Sequence, residues 1–268
     1  MDPVGRAALP LGTGGAGARP LDPNELRYLD DEKPQVLPTF ATVAANFHAT
    51  EAPKVSFPPG VEIDLAKVVH GSQEVTVHQP IPASGSGRTT TRIAEIWDKG
   101  KAAVIVQESV TVDAEGNPLW TARSSIFARG EGGFEGERGP SESITLPDRE
   151  ADETVVTPVL PQQALLYRMC GDRNPLHSDP QFASAAGFPA PILHGLCTYG
   201  MVCKTAVDTM LDGDSSRVAG FRARFAGGRI SRRELEYPDL ERQWATPDLS
   251  FRTGARSSCL ADVVLTLV

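Results

Sequence analysis

Tyr167-Arg168-Met169-Cys170-Gly171-Asp172-Arg173-Asn174-Pro175-Leu176-His177 is followed, seventeen residues after its histidine, by a second one in Leu193-His194-Gly195. An acid, an amide and an imidazole fall on one loop bent by glycine and proline. Upstream, residues 154–160 read as a strand and 162–169 as a helix. Downstream, Ser178 or Asp179 can cap a short helix entered at Pro180, with an apolar face over 182–186. The longest apolar tract then runs from Pro191 to Leu211 and contains His194, Lys204 and Asp208. Those groups are costly at a bilayer centre, so the tract reads as a buried helix that begins at Gly195.

The first half has a related organisation without the loop. Val36, Phe40, Val43 and Phe47 recur at helical spacing, and Pro38 is tolerable in a first turn, which predicts a helix there. Four Val-, Ile- and Thr-rich stretches follow at 73–79, 87–97, 101–112 and 118–128, separated by short Gly-, Pro- and Asp-containing turns. Strands joined so closely pair antiparallel. One helix and several antiparallel strands make an α+β unit in which the sheet wraps the helix. Val36 to Thr42 aligns weakly with Ile192 to Thr198, placing Pro38 and Thr39 opposite His194 and Gly195. On a duplication reading, only the second copy kept polar chemistry; chance similarity of two buried helices is the alternative.

These observations divide the chain into a Gly/Pro-rich arm at 1–24, a first domain at 25–129, a linker at 130–153 carrying five glycines and eight acidic residues, and a second domain at 154–268. Within the arm, Gly12-Thr13-Gly14-Gly15-Ala16-Gly17 matches a dinucleotide-binding pattern by letter. That fingerprint needs a strand before it and a helix after it, and prolines flank it on both sides, so it reads as plain arm.

Composition narrows the function. A chain of 268 residues with 40% hydrophobic content and a net charge of −8 describes a globular protein of about two domains and argues against generic nucleic-acid binding. The four cysteines have no metal-ligand spacing, no secretory leader is recognisable, and the last residues are not a Ser-Lys-Leu type address. A cytoplasmic protein with no membrane partner is expected.

Asp172 and His177 can each accept a hydrogen bond from one water, orienting it and drawing off a proton as it attacks. Asn174 can orient either group or a substrate amide. The Gly195 N–H at a helix N-terminus can stabilise an oxyanion with no side chain in the way. Water on a polarised carbonyl gives hydrolysis, and water on the β-carbon of a conjugated double bond gives hydration; spacing leaves both open. Gly-Asp-x-Asn-Pro is also good turn chemistry, and Asp172, His177 and His194 contain the donors of a metal triad. His48, His70 and His78 read as structural or surface histidines, and Cys170 as inert packing.

Tyr167 to His177, Asp179-Pro180-Gln181-Phe182-Ala183 and Pro189 to Cys197 together resemble the signature of the MaoC-like, type 2 (R)-specific enoyl-CoA hydratases. The resemblance spans roughly residues 35–225. It implies a double hotdog fold, two antiparallel sheets each wrapped around a central helix, with catalysis in the second half and the acyl chain in the degenerate first half. Residue by residue, Asp172 and His177 match the catalytic pair, Asn174 the neighbouring amide, and Gly195 the glycine whose N–H binds the thioester oxygen. The implied reaction is reversible syn addition of water to a trans-2-enoyl-CoA, giving a (3R)-3-hydroxyacyl-CoA in fatty acyl metabolism, by a homodimer, with no metal and no cofactor. His194, Arg222 and Arg224, with Arg217 beside them, are candidate substrate contacts. The chain departs from the pattern before Gln35 and in the charged segment after Phe225. Rival readings are a (3R)-hydroxyacyl-carrier-protein dehydratase and a non-catalytic acyl-thioester-binding hotdog paralogue.

Overall fold

The computed structural model describes residues 21–47, 49–51, 63, 68–141, 153–225, 235–241, 248–251 and 260–268. The Gly12 to Gly17 pattern, His48, residues 142–152 of the expected linker and much of the charged segment after Phe225 lie outside the described residues.

Strands β1 (Val68–Val77), β2 (Arg88–Asp98), β3 (Ala102–Val112) and β4 (Pro118–Arg129) belong to the first half. Strands β5 (Glu153–Thr157), β6 (Val218–Phe225), β7 (Leu235–Glu241), β8 (Asp248–Phe251) and β9 (Leu260–Leu267) belong to the second. They form one nine-stranded sheet in the order β2-β3-β4-β1-β6-β9-β8-β7-β5. The two expected sheets are therefore halves of one, joined where β1 pairs antiparallel with β6 from Ser72↔Arg224 to Thr76↔Gly220. Tight turns explain the hairpins: Gly100 (φ 80°) and Gly116 (φ 92°) take the left-handed region, and the Asp98 and Asp113 carboxylates accept from backbone N–H groups inside each turn. β7 lies in the segment whose sequence shows no strand alternation.

Among the described residues four α-helices accompany the sheet: α1 (Pro23–Leu26), α2 (Gln163–Tyr167), α3 (Pro180–Ala185) and α4 (Gly195–Met210). Only α4, with 16 residues, is long. It is buried on nearly every side, from Cys197 to Val207, so its all-round apolar sequence is that of a core helix. Tyr199 anchors it by donating to the Phe221 carbonyl of β6 at 2.6 Å. No helix among the described residues is long and apolar enough to cross a membrane.

The helix expected from Val36 to Phe47 is realised only as a 3-10 turn over Pro38–Thr42, followed by further turns through Phe47. Its physical cause is local: Leu37 offers no side-chain cap, and Thr39, Thr42 and Val43 are β-branched. Thr42 spends its hydroxyl on the Thr39 carbonyl at 2.8 Å. The turn still fills the core, since Phe40 is buried and meets Trp120 edge-on with ring centroids 6.5 Å apart.

Residues ahead of this turn reach across to the second half. Tyr28 donates to the Asp208 carboxylate at 2.5 Å, and Lys204 of α4 bridges Asp208 (2.7 Å) and Glu25 (2.9 Å). Beyond β4, the start of the expected linker folds back on the β2–β3 turn, where the Asp98 N–H donates to the Glu137 carbonyl at 2.8 Å.

Candidate active site

The loop after α2 is shaped by its neighbours in the first half. Gly171 has φ 98°, and a Cβ there would stand 1.9 Å from the Asn46 carbonyl oxygen, so both conformation and space demand glycine. Arg173 donates from Nε to the Ala49 carbonyl at 3.0 Å. The loop is thus pressed against the main chain of residues 46–49.

Inside the loop the Asx chemistry expected of Gly-Asp-x-Asn-Pro is present. The Asn174 N–H donates to Asp172 Oδ1 at 3.2 Å, and Asn174 Oδ1 caps the 3-10 turn Pro175–His177 by accepting from the Leu176 N–H at 3.0 Å. Asn174 therefore shapes the turn that presents the other two groups. A two-way clasp then fixes His177: the Ile192 N–H donates to the Leu176 carbonyl at 3.3 Å, and His177 Nδ1–H donates to the Ile192 carbonyl at 2.9 Å. Because a carbonyl can only accept, Nδ1 carries the proton and Nε2 is the basic nitrogen.

Asp172, His177 and His194 come together with their donor atoms within 4.8 Å of one another. The Asp172 side chain is 31% exposed, so its carboxylate faces the open side of the site. Burial holds the pKa of His177 below the ordinary histidine value, against the opposing pull of the Ile192 hydrogen bond and the Asp172 charge. A neutral imidazole beside an exposed carboxylate gives two acceptors for one water. The same three residues are a poor metal cage. The two imidazoles stack with centroids 3.7 Å apart and planes 25° apart, so their in-plane lone pairs run side by side instead of converging on one ion.

The electrophilic side of the site is the start of α4. The His194 carbonyl accepts from Cys197 (3.1 Å) and Thr198 (3.3 Å), which leaves the Gly195 N–H ahead of the intrahelical ladder at the positive end of the helix. A Cβ on Gly195 would lie 3.0 Å from the Phe225 ring, and that ring packs on His70 of β1 with centroids 4.5 Å apart. His70 Nε2 is sealed from solvent and unpartnered, and burial lowers its pKa to about 4. The expectation that His70 is a structural or surface histidine meets a side chain buried in β1 and packed on Phe225. It sits beside the bulge at Gly71, where β1 shifts register against β4 between His70 and Ser72.

The remaining expected contacts fall elsewhere. His194 is 1% exposed, stacks on His177 and lies against the Asp172 main chain. Arg222 and Arg224 alternate along β6 with the core residues Phe221 and Ala223, which puts both arginines on the sheet face turned away from α4 and the dyad. Arg224 is already engaged, donating from Nε to Asp262 at 2.6 Å.

In the first half a cavity of about 810 Å³ is lined by Phe40, Phe47, Leu119 and Trp120, with Pro80 and Pro82 at its rim. Its volume suits a small-molecule ligand. Phe47 belongs to the segment on which the Gly171 loop rests, so cavity and dyad adjoin through one stretch of chain.

Each half of the chain matches a family of known proteins. Residues 11–130 match the family described as MFE-2 hydratase 2 N-terminal domain, and residues 142–228 match the MaoC like domain. The chain is 62% identical over 213 residues to "Enoyl-CoA hydratase ChsH3" of Mycobacterium tuberculosis, covering 80% of this chain and 74% of that one. It is 36% identical over 230 residues to "Enoyl-CoA hydratase 2, peroxisomal" of Arabidopsis thaliana, with the same coverage of 80% and 74%. A crystal structure of a MaoC-like dehydratase from Phytophthora capsici superposes with a TM-score of 0.89 at 24% identity, covering 100% of this chain and 92% of that one, and establishes the fold alone. The chain belongs to the MaoC-like hydratase 2 family.

Proposed function

We propose that this protein is an (R)-specific 2-enoyl-CoA hydratase, adding water reversibly and syn to a trans-2-enoyl-CoA to give a (3R)-3-hydroxyacyl-CoA in fatty acyl metabolism. The observation that carries this reading is the meeting of Asp172 and a neutral His177 with His194, whose next residue, Gly195, opens α4. Water is held between the Asp172 carboxylate and His177 Nε2. As its oxygen bonds to Cβ, its proton passes to the dyad, and the charge that builds on the thioester oxygen rests on the Gly195 N–H. The dyad then returns a proton to Cα on the face it occupies, so hydroxyl and hydrogen arrive from the same side. Every atom of the water is accounted for, and no metal or redox cofactor enters these steps.

The acyl chain is assigned to the first-half cavity lined by Phe40, Phe47, Leu119 and Trp120. A cytoplasmic homodimer belongs to the same reading; the buried cysteines Cys170, Cys197 and Cys203 form no disulfide among the described residues, which supports a reducing compartment.

The test is the loss of the conjugated enoyl-thioester absorbance on adding enzyme, with chiral analysis of the product. A (3R) product from wild type, abolished in Asp172→Ala and His177→Ala, supports the reading. Wild-type turnover in either variant sinks it. Faster turnover of carrier-linked than of CoA-linked substrate would assign it to the dehydratase alternative, and acyl-CoA binding without hydration to the non-catalytic one.

A further inference from the structure

His194 occupies a place that a simple core residue does not explain. Its ring lies between Tyr167 (centroids 5.0 Å apart) and His177 (3.7 Å apart). Its Nε2–H points at the Asp172 main-chain carbonyl at 3.4 Å and stands 4.0 Å from the Asp172 carboxylate. Its Nδ1 is buried and has no hydrogen-bond partner. A phenyl ring would fill the same space without an orphaned nitrogen, and an unpaired buried polar atom costs stability. The one thing imidazole adds here is the donor on Nε2, which reaches the residue whose side chain faces the reaction.

We propose that His194 is a positioning residue of the hydration site: it carries the Asp172 main chain on its Nε2–H and the His177 ring on its face, and so holds the two members of the dyad in one geometry. This inference rests on the reading of Asp172 and His177 as the reacting pair. His194 touches no substrate; it acts through both residues that do. Its neighbours also keep it out of the proton transfers. Burial, reinforced by His177 and Arg168, lowers its pKa to about 2, while Asp172 pulls the other way and loses. The ring stays neutral at every pH where the protein works, so it does not compete with His177 for the proton of the water. The groups that bear on His177 itself are Asp172, which favours its protonation, and Arg168, which opposes it. The stacked, neutral His194 ring excludes water from one face of that imidazole and adds to its desolvation.

Two substitutions separate the functions. His194→Ala removes donor and stack; kcat for enoyl-CoA hydration is expected to fall by about 100-fold, since misplacing reacting groups by an ångström has that scale of effect, with KM nearly unchanged. Water then reaches the freed face of His177, and the acid limb of kcat/KM against pH moves to higher pH. His194→Phe keeps the stack and loses the donor, so the acid limb is expected to stay at its wild-type pH while kcat falls by about tenfold. Should His194→Ala not fold, as judged by circular dichroism, His194→Phe alone decides: a folded variant with wild-type kcat overturns the proposal. So does a loss in either variant confined to KM, which would mark a substrate contact. A wild-type enzyme that hydrates no enoyl thioester would instead overturn the reading of the site itself, whereas an active wild type with unaffected His194 variants overturns only this inference.

Discussion

The two halves of the sheet spend the same structural position in different ways. In the second half the position over the sheet holds α4, 16 residues long, which starts directly after His194 of the site cluster. In the first half it holds a 3-10 turn of five residues, and beside that turn opens a cavity of about 810 Å³. A full helix supplies a dipole, an aligned terminus and a rigid back wall, which is what charge development needs. A shortened one leaves volume, which is what an apolar chain needs. On the proposed reading, chemistry and capacity fall to different halves according to how much helix each one has.

The sharpest way to break this division is to remove the polar groups of the second half. Asp172→Ala or His177→Ala is expected to lower kcat by about 10² to 10⁴, with a small shift of the urea midpoint for the partly exposed Asp172 and a loss of about 1–3 kcal/mol for the buried His177, whose removal leaves the Ile192 carbonyl unpaired. An equal loss of stability would mean that these residues are structural, as the turn chemistry of the loop allows. Next in size, Gly171→Ala drives a methyl group against the Asn46 carbonyl and fights a φ of 98°. A loss of about 3 kcal/mol or more in chemical denaturation is expected, together with lost activity, since the loop has to leave the first half.

Acid sharpens the comparison from both sides, because each half buries a histidine in its neutral form. Burial lowers His70 of the first half to about 4 and His194 of the second to about 2, with His177 lowered as well. The unfolded chain takes up these protons near pH 6.5 and the folded chain does not. Stability is therefore greatest above about pH 6.5 and falls as pH drops below it, until the folded-state values are reached. At pH 5.5 the cost from His70 and His194 together is at most about 3 kcal/mol relative to neutral pH, measurable as a lower Tm. The acid limb of activity belongs below the usual histidine range, since His177 must be neutral to accept.

A smaller effect should follow from filling the first half alone. Ala45 lines the cavity and is exposed, so Ala45→Trp is expected to raise KM for long-chain enoyl-CoA by about tenfold while leaving a four-carbon substrate almost unchanged. Equal effects on both chain lengths would place the acyl group elsewhere. The least effect is expected at Arg224, which faces away from the dyad and pairs with Asp262. Arg224→Ala should change stability by less than about 0.5 kcal/mol and leave KM for CoA thioesters intact.

How much of this was legible in the sequence depends on whether local chemistry or distant neighbours decided each feature. The loop and the start of α4 were readable because Gly171, Asn174, Pro175 and Gly195 impose their conformations locally, and β2 to β4 because alternation and Asp-Gly turns bound them. The truncated first helix was not, since Val36, Phe40, Val43 and Phe47 keep helical spacing whichever way the chain is wound. β7 was hidden by its charges: Glu236, Asp239 and Glu241 and the proline at 238 deny it the usual strand signature, and its place comes from pairing with β5, where Pro238 stands opposite Thr154. His194 was visible as a residue, but its role required knowing that His177 folds back over it.

The contacts at Gly171 and Arg173 have a consequence for how such a protein can change. Both are made to carbonyl oxygens, of Asn46 and Ala49, and every residue has one. Side chains at 46 and 49 can drift without altering what the loop feels. Through a junction indifferent to side-chain identity, the first half is free to diversify in what it admits, while the second inherits an unaltered reaction.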